Sequence, residues 1–206
     1  MGSSEDQIFN FKELRVYILH RLENELDPKL VYHSLKHTLN VEKAVIKYGE
    51  LEGLNERDLI LTRTAALFHD AGFIVQYDNN EHLGVNLFKS IAKSYGYSEE
   101  DVAKVERIIL VTIAHNKPKD LCEQIICDAD LDYLGRSDYH KIANRLFVER
   151  QNFGITFSEK EWLSIQINYL ENIHHYYTAS ARQIRSEGKA QHLAELKVKL
   201  AEQFNS

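Results

Sequence analysis

Almost nothing in this chain interrupts a helix. Two prolines and nine glycines are spread over 206 residues. Between them, apolar side chains recur at helical period: Phe11, Leu14, Ile18 and Leu22 fall on one helical face. A chain patterned this way must bury each apolar stripe against another helix, so the reading is all-α. The punctuation agrees. Asp27-Pro28 offers a cap and a first-turn proline, predicting a second helix from there to about residue 50, closed by Gly53. Asn55, Ser98 and Ser158 each stand three residues before an acid (Asp58, Asp101, Glu161), the pattern of a side-chain cap. These caps open helices predicted over 56–70, 99–115 and 158–186, and further helices are predicted over 81–95, 121–134, 139–153 and 189–204. Only residues 72–77 hint at a strand. With no repeat, low-complexity tract or linker, residues 1–206 read as one helical domain.

Composition bounds the partners. The chain is 44% hydrophobic and 27% charged, with a formal net charge of -6. It can bury a core, and it lacks the basic excess that broad nucleic-acid binding needs. Cys122 and Cys127, five residues apart, fit neither a zinc knuckle nor a helical pair and read as reduced thiols. No apolar run approaches the ~18–20 residues of a membrane span. The start, Met1 to Gln7, lacks the basic and apolar regions of a signal peptide and is set aside from fold reasoning. A cytoplasmic location is the resulting expectation, and the exposed aromatics of an all-helical chain leave a homodimer open.

Three groups of His and Asp break the apolar pattern. His33 and His37 stand one turn apart, on one face if helical. They can chelate a metal together, place one ligand beside one acid, or be ordinary surface or core histidines. His69-Asp70 follows the apolar run Thr64 to Phe68, where an imidazole and a carboxylate are costly without a partner. A helix C-terminus would suit His69 but not Asp70, whose charge faces the wrong dipole end; a metal suits both. Asp128, Asp130 and Asp132 interrupt another apolar stretch. On a helix Asp128 and Asp132 share a face and Asp130 points about 160° away. Three carboxylates so close repel one another unless cations or protons intervene. Imidazole and carboxylate together form the ligand set of a divalent metal that keeps positions open for water and substrate.

These groups resemble the H…HD…D signature of the HD-domain metal-dependent phosphohydrolase superfamily. The strings Tyr32-His33-Ser34-Leu35-Lys36-His37-Thr38, Ala66-Leu67-Phe68-His69-Asp70-Ala71-Gly72 and Asp128-Ala129-Asp130-Leu131-Asp132-Tyr133-Leu134-Gly135 are close to forms in a bacterial branch of predicted members. The resemblance covers about residues 25–140, with a helical extension over 139–204. It implies a helical bundle and a divalent cation (Mn, Fe, Co, Ni, Zn or Mg) held by His37, His69, Asp70 and Asp130. Asp128 is the alternative last ligand or a group bonded to one, and Asp132 lies on the helix surface or behind a ligand. His33 takes the general-acid position of related cyclic-nucleotide phosphodiesterases. A second metal would need His82 and His115, although an imidazole is expected nearer position 80, where the chain has Asn80. The GYP extension of cyclic-di-GMP hydrolases is absent.

The implied reaction is hydrolysis of a nucleotide or other small phosphate ester by activated water, with Asp70 at its centre and His33 or Lys117 serving the leaving group. His115, Lys119 and Arg145, or Arg150, would contact phosphate. Trp162, Tyr169, Ile165 and Ile173 fall at helical spacing, as core or as a wall for a nucleobase. His174-His175, adjacent on a helix, point apart and make a poor metal pair. Two rival readings remain: a non-catalytic ligand-sensing or interaction module, and a di-metal oxygenase.

Overall fold

A computed structural model describes residues 10–204. The Met1–Gln7 stretch lies outside them. Among the described residues nine α-helices follow in chain order: α1 (Phe11–Glu25), α2 (Leu35–Leu51), α3 (Glu56–Phe68), α4 (Asn80–Ile91), α5 (Glu99–Leu110), α6 (Leu121–Asp130), α7 (Tyr139–Asn152), α8 (Glu159–Asn168) and α9 (Ala179–Phe204). Short 3-10 turns at Ala71–Ile74, Ala92–Tyr95 and Asp132–Gly135, and a π turn at Tyr169–Ile173, join some of them. The described residues contain no strand; residues 71–74, in the stretch that hinted at one, form a 3-10 turn.

Three of the predicted caps form where the sequence put them, and the one at Asp27 does not. Asn55 accepts the Asp58 amide, and Ser98–Asp101 and Ser158–Glu161 are reciprocal capping boxes. Phe11, Leu14, Ile18 and Leu22 are buried together, as their spacing requires. Helix ends depart from expectation in several places: α4 stops at Ile91 rather than 95, α5 at Leu110 rather than 115 and α6 at Asp130 rather than 134, and two departures are larger. The second helix begins at Leu35 rather than after Pro28, so His33 precedes it and does not share its face with His37. Asp27 turns the chain locally, accepting the Lys29 amide at 2.8 Å. The long helix predicted over 158–186 is broken at 174–178, and the last helix starts ten residues before the predicted 189.

Helices α2, α3 and α6 pack on one another, with α1 and α5 against α3. Their shared core runs from Leu14 and Ile18 through Val45, Leu67 and Phe68 to Ile125 and Ile126. A second apolar cluster joins Tyr32 to Tyr133, Leu134, Tyr139, Leu163, Leu170 and Leu196. Helix α9 closes this side, lying on α8 and on the 132–135 turn. No helix among the described residues is long and apolar enough to cross a membrane.

Candidate metal centre

The three mutually packed helices deliver their acids and imidazoles to one point. His37 lies in the first turn of α2, His69-Asp70 follows the last residue of α3, and Asp130 ends α6. Ligand atoms of His37, His69 and Asp70 lie within 4.8 Å of one another. His37 Nε2 is 3.3 Å from Asp70 Oδ2 and 3.0 Å from Asp130 Oδ1. His69 Nε2 is 3.1 Å and 3.6 Å from the same two oxygens.

This arrangement fits a cation. His69 Nδ1 donates to the Ala66 carbonyl at 2.8 Å, so in the neutral ring Nε2 carries a lone pair. That lone pair faces Asp70 Oδ2, a buried oxygen with no hydrogen bond of its own. Two acceptors face each other, and either protons or a metal must intervene. Without a metal, protons do. Burial opposes charge on both rings, but hydrogen bonds and charges from Asp130 and Asp70 outweigh it, lifting His37 to about 9 and His69 well above the usual value. Burial likewise works against the Asp70 and Asp130 anions, yet the facing imidazoles hold both carboxyls below their usual range.

The other oxygen of Asp70 accepts from Asn80 Nδ2 at 3.2 Å. Asn80 opens α4 and reaches Asp70 because Gly72 lets the two segments touch. A Cβ on Gly72 would sit 1.9 Å from the Asn80 carbonyl oxygen.

His33 is held from elsewhere. Its Nδ1 meets Glu149 Oε1, and its ring stacks on Phe73 with centroids 4.4 Å apart. Glu149, fully buried on α7, uses Oε2 to accept the Tyr32 amide at 2.7 Å and the His33 amide at 2.9 Å. These bonds hold 32–33 out of the helix. His33, His69, Asp70 and Asp130 line a cavity of about 430 Å³ at the seam between the two apolar clusters. Trp162, Ile165 and Tyr169 form its far wall rather than core; Ile173 is exposed. Arg150 lines it too, stacked 6.0 Å from the Trp162 ring centroid.

Several expected residues lie elsewhere. Asp128 is not at the cluster: it is fully buried and accepts the Tyr177 and Thr178 amides and the Thr178 hydroxyl at 2.7–2.8 Å. Asp132 is not on the surface but buried, bound by Arg185 Nε at 2.6 Å and Tyr48. Both face α9 or the residues that begin it while Asp130 faces the imidazoles, as the helical angle requires. His82 is exposed and does not line the cavity. His115, Lys117 and Lys119 are exposed on the 111–120 segment, from which Thr112 and Ala114 reach the cavity and these three do not. Arg145 lines a smaller neighbouring cavity of about 110 Å³ with His37, Lys36 and Lys141. Cys122 and Cys127 are free thiols. Sequence reasoning missed Glu149, the single acid of α7 and one of 31 in the chain; nothing in its spacing marks it.

A model of the HD domain family matches residues 34–132. An uncharacterized protein of Clostridium beijerinckii is 32% identical over 108 residues, 50% of this chain and 67% of that protein. Among solved structures, the chain is similar to a predicted HD superfamily hydrolase from an uncultured Thermotogales bacterium, with TM-score 0.62 and 20% identity over 98% of this chain and 99% of that one. It is also similar to Bacillus subtilis YpgQ, solved in complex with ADP, with TM-score 0.63 and 19% identity over 92% and 94% of the two chains. His37, His69, Asp70 and Asp130 all fall inside the matched segment, and the chain belongs to the HD-domain superfamily.

Proposed function

We propose that the protein is a metal-dependent hydrolase acting on a phosphate ester, with a nucleotide as the favoured substrate class. The observation that carries this reading is the buried Asp70 oxygen without a hydrogen bond, facing two imidazole nitrogens on the wall of a substrate-sized cavity. His37, His69, Asp70 and Asp130 are the residues that would hold a divalent cation. When bound, the cation supplies the positive charge that lets water ionise near neutral pH and offsets charge on the phosphoryl group.

The chain's own groups supply the rest. Asn80 fixes one Asp70 oxygen and leaves the other free for the metal. Glu149 engages His33 Nδ1, which leaves Nε2 as the nitrogen to protonate the leaving oxygen. Arg150 offers its guanidinium to phosphate from the cavity wall. Trp162 and Tyr169 give flat faces on which a base can stack. The similar fold of YpgQ was solved with ADP, which supports a nucleotide here. Arg145 is assigned to phosphate in the adjoining small cavity; Lys117, Lys119 and His115, exposed on the segment that carries Thr112 and Ala114, would meet only a substrate that extends beyond the cavity. A di-metal oxygenase is disfavoured, since neither His82 nor His115 lines the cavity beside His69 and Asp70.

The test is a hydrolysis screen of nucleotides and generic phosphate mono- and diesters with added Mn, Fe, Co, Ni, Zn or Mg. Turnover that requires metal and disappears in Asp70→Ala supports the proposal. Metal bound at one equivalent in this site, with no turnover on any ester, overturns it in favour of a ligand-sensing module.

A further inference from the structure

A second group of ligands lies apart from this centre. His140 on α7 and His192 and Glu195 on α9 bring ligand atoms within 4.8 Å of one another. His140 Nε2 is 2.7 Å from Glu195 Oε2, and His192 Nδ1 is 3.5 Å from the same oxygen. The geometry points to a second divalent-cation site formed by His140, His192 and Glu195, stapling α7 to α9.

Three features favour a metal over a plain surface ion pair. His192 is buried, and its Nε2 donates to the Arg136 carbonyl at 2.8 Å. In the neutral ring this leaves a lone pair on Nδ1, aimed at a carboxylate oxygen. A carbonyl behind a ligating imidazole is the usual means of fixing its tautomer. The ring itself is clamped: Tyr139 stacks on it with centroids 4.7 Å apart and an interplanar angle of 12°. Behind the carboxylate, Gln191 Nε2 donates to Glu195 Oε1 at 2.9 Å, leaving Oε2 to face the two imidazoles. Ligands and supports are thus both in place before any cation arrives.

Two imidazoles and one carboxylate select a first-row transition ion such as Zn or Ni over Mg or Ca, with open positions left for water. His140 and Glu195 are exposed, so exchange with solvent is direct. The ion would tie together residues 55 apart in sequence. It would also fix α9, whose Arg185 and preceding Thr178 hold Asp132 and Asp128 behind the first centre.

The experiment is Zn titration of the full chain, with stoichiometry read by competition against a chromophoric chelator. The wild type should bind two equivalents, His140→Ala and Glu195→Ala one each, and His37→Ala one. The His37→Ala protein should gain thermal stability on Zn addition, and the His37→Ala/His140→Ala protein should not. His140→Ala that binds as many equivalents as wild type overturns the inference. One equivalent in wild type and none in His140→Ala supports it and counts against the first centre instead, so the two sites fail separately. Substitutions at the exposed His140 and Glu195 leave the apolar core intact, and circular dichroism of each variant checks the fold.

Discussion

At the scale of single residues, the imidazoles are set by the carboxylates they face, and this fixes a pH dependence. His37 rises from 6.5 to about 9 in the metal-free chain. Its ion contacts therefore stabilise the fold fully below pH 6.5 and are lost as pH climbs through about 9. Asp70 and Asp130 are depressed below 3.8, so their share is present above that value and lost as pH falls below it. The melting temperature of metal-free protein should accordingly peak between these limits. Metal binding runs the other way, because the cation must displace the imidazole protons. Affinity for Mn should increase as pH rises toward 9, with proton release measurable by calorimetry in buffers of different ionisation enthalpy. A flat profile would argue against these imidazoles as ligands. His33 predicts a kinetic effect. His33→Ala should lower kcat by about 10²–10⁴, the usual contribution of a positioned acid. Glu149→Gln should fall between that and wild type, with metal stoichiometry unchanged and the alkaline limb of the pH profile, where the protonated donor is lost, displaced. An unaltered profile would remove the positioning role. His69, Asp70 and the aspartates 128–132 were legible because they interrupt apolar runs, and the family resemblance picked out His37 and, of the three aspartates, Asp130. Glu149 was not, since its meaning lies 116 residues away in His33.

At the scale of elements, helix starts written as local caps could be read directly, and helix breaks imposed from a distance could not. The two largest departures, before α2 and before α9, share one feature. Glu149 takes the amides of Tyr32 and His33, and Asp128 takes those of Tyr177 and Thr178. A buried carboxylate satisfies two N–H groups in each case, and the helix stops there although its apolar period continues. Asp128→Ala should leave two amides without an acceptor and cost about 1–3 kcal/mol for each. Denaturant unfolding would measure that loss, while metal stoichiometry stays as in wild type; a lost equivalent would return Asp128 to the ligand set. The fit of α9 is equally specific. A Cβ on Gly188 would lie 2.3 Å from the Gly135 carbonyl oxygen, backbone that cannot swing aside. Gly188→Ala should push α9 from the 132–135 turn and cost about 1–3 kcal/mol as overpacking does, read as a lower melting temperature.

At the scale of the molecule, the cavity sits where the α1–α6 core meets the cluster closed by α7, α8 and α9. One side supplies the candidate ligands, the other the aromatic wall. Trp162→Ala should therefore raise KM for a nucleotide while leaving hydrolysis of a small generic ester little changed; an equal effect on both would discount base stacking. The helical class and the ligand helices were evident from period and motif. The wall was not, because Trp162 and Tyr169 share the spacing of core residues, and only the packing of α8 leaves them facing a void. The family match ends at residue 132, yet the group that aims His33 is Glu149. A polypeptide emerging from the ribosome has all four ligands once residue 130 is made, but gains that carboxylate later. A chain cut before residue 149 would keep the four candidate ligand residues and lose the acceptor that fixes His33 Nδ1.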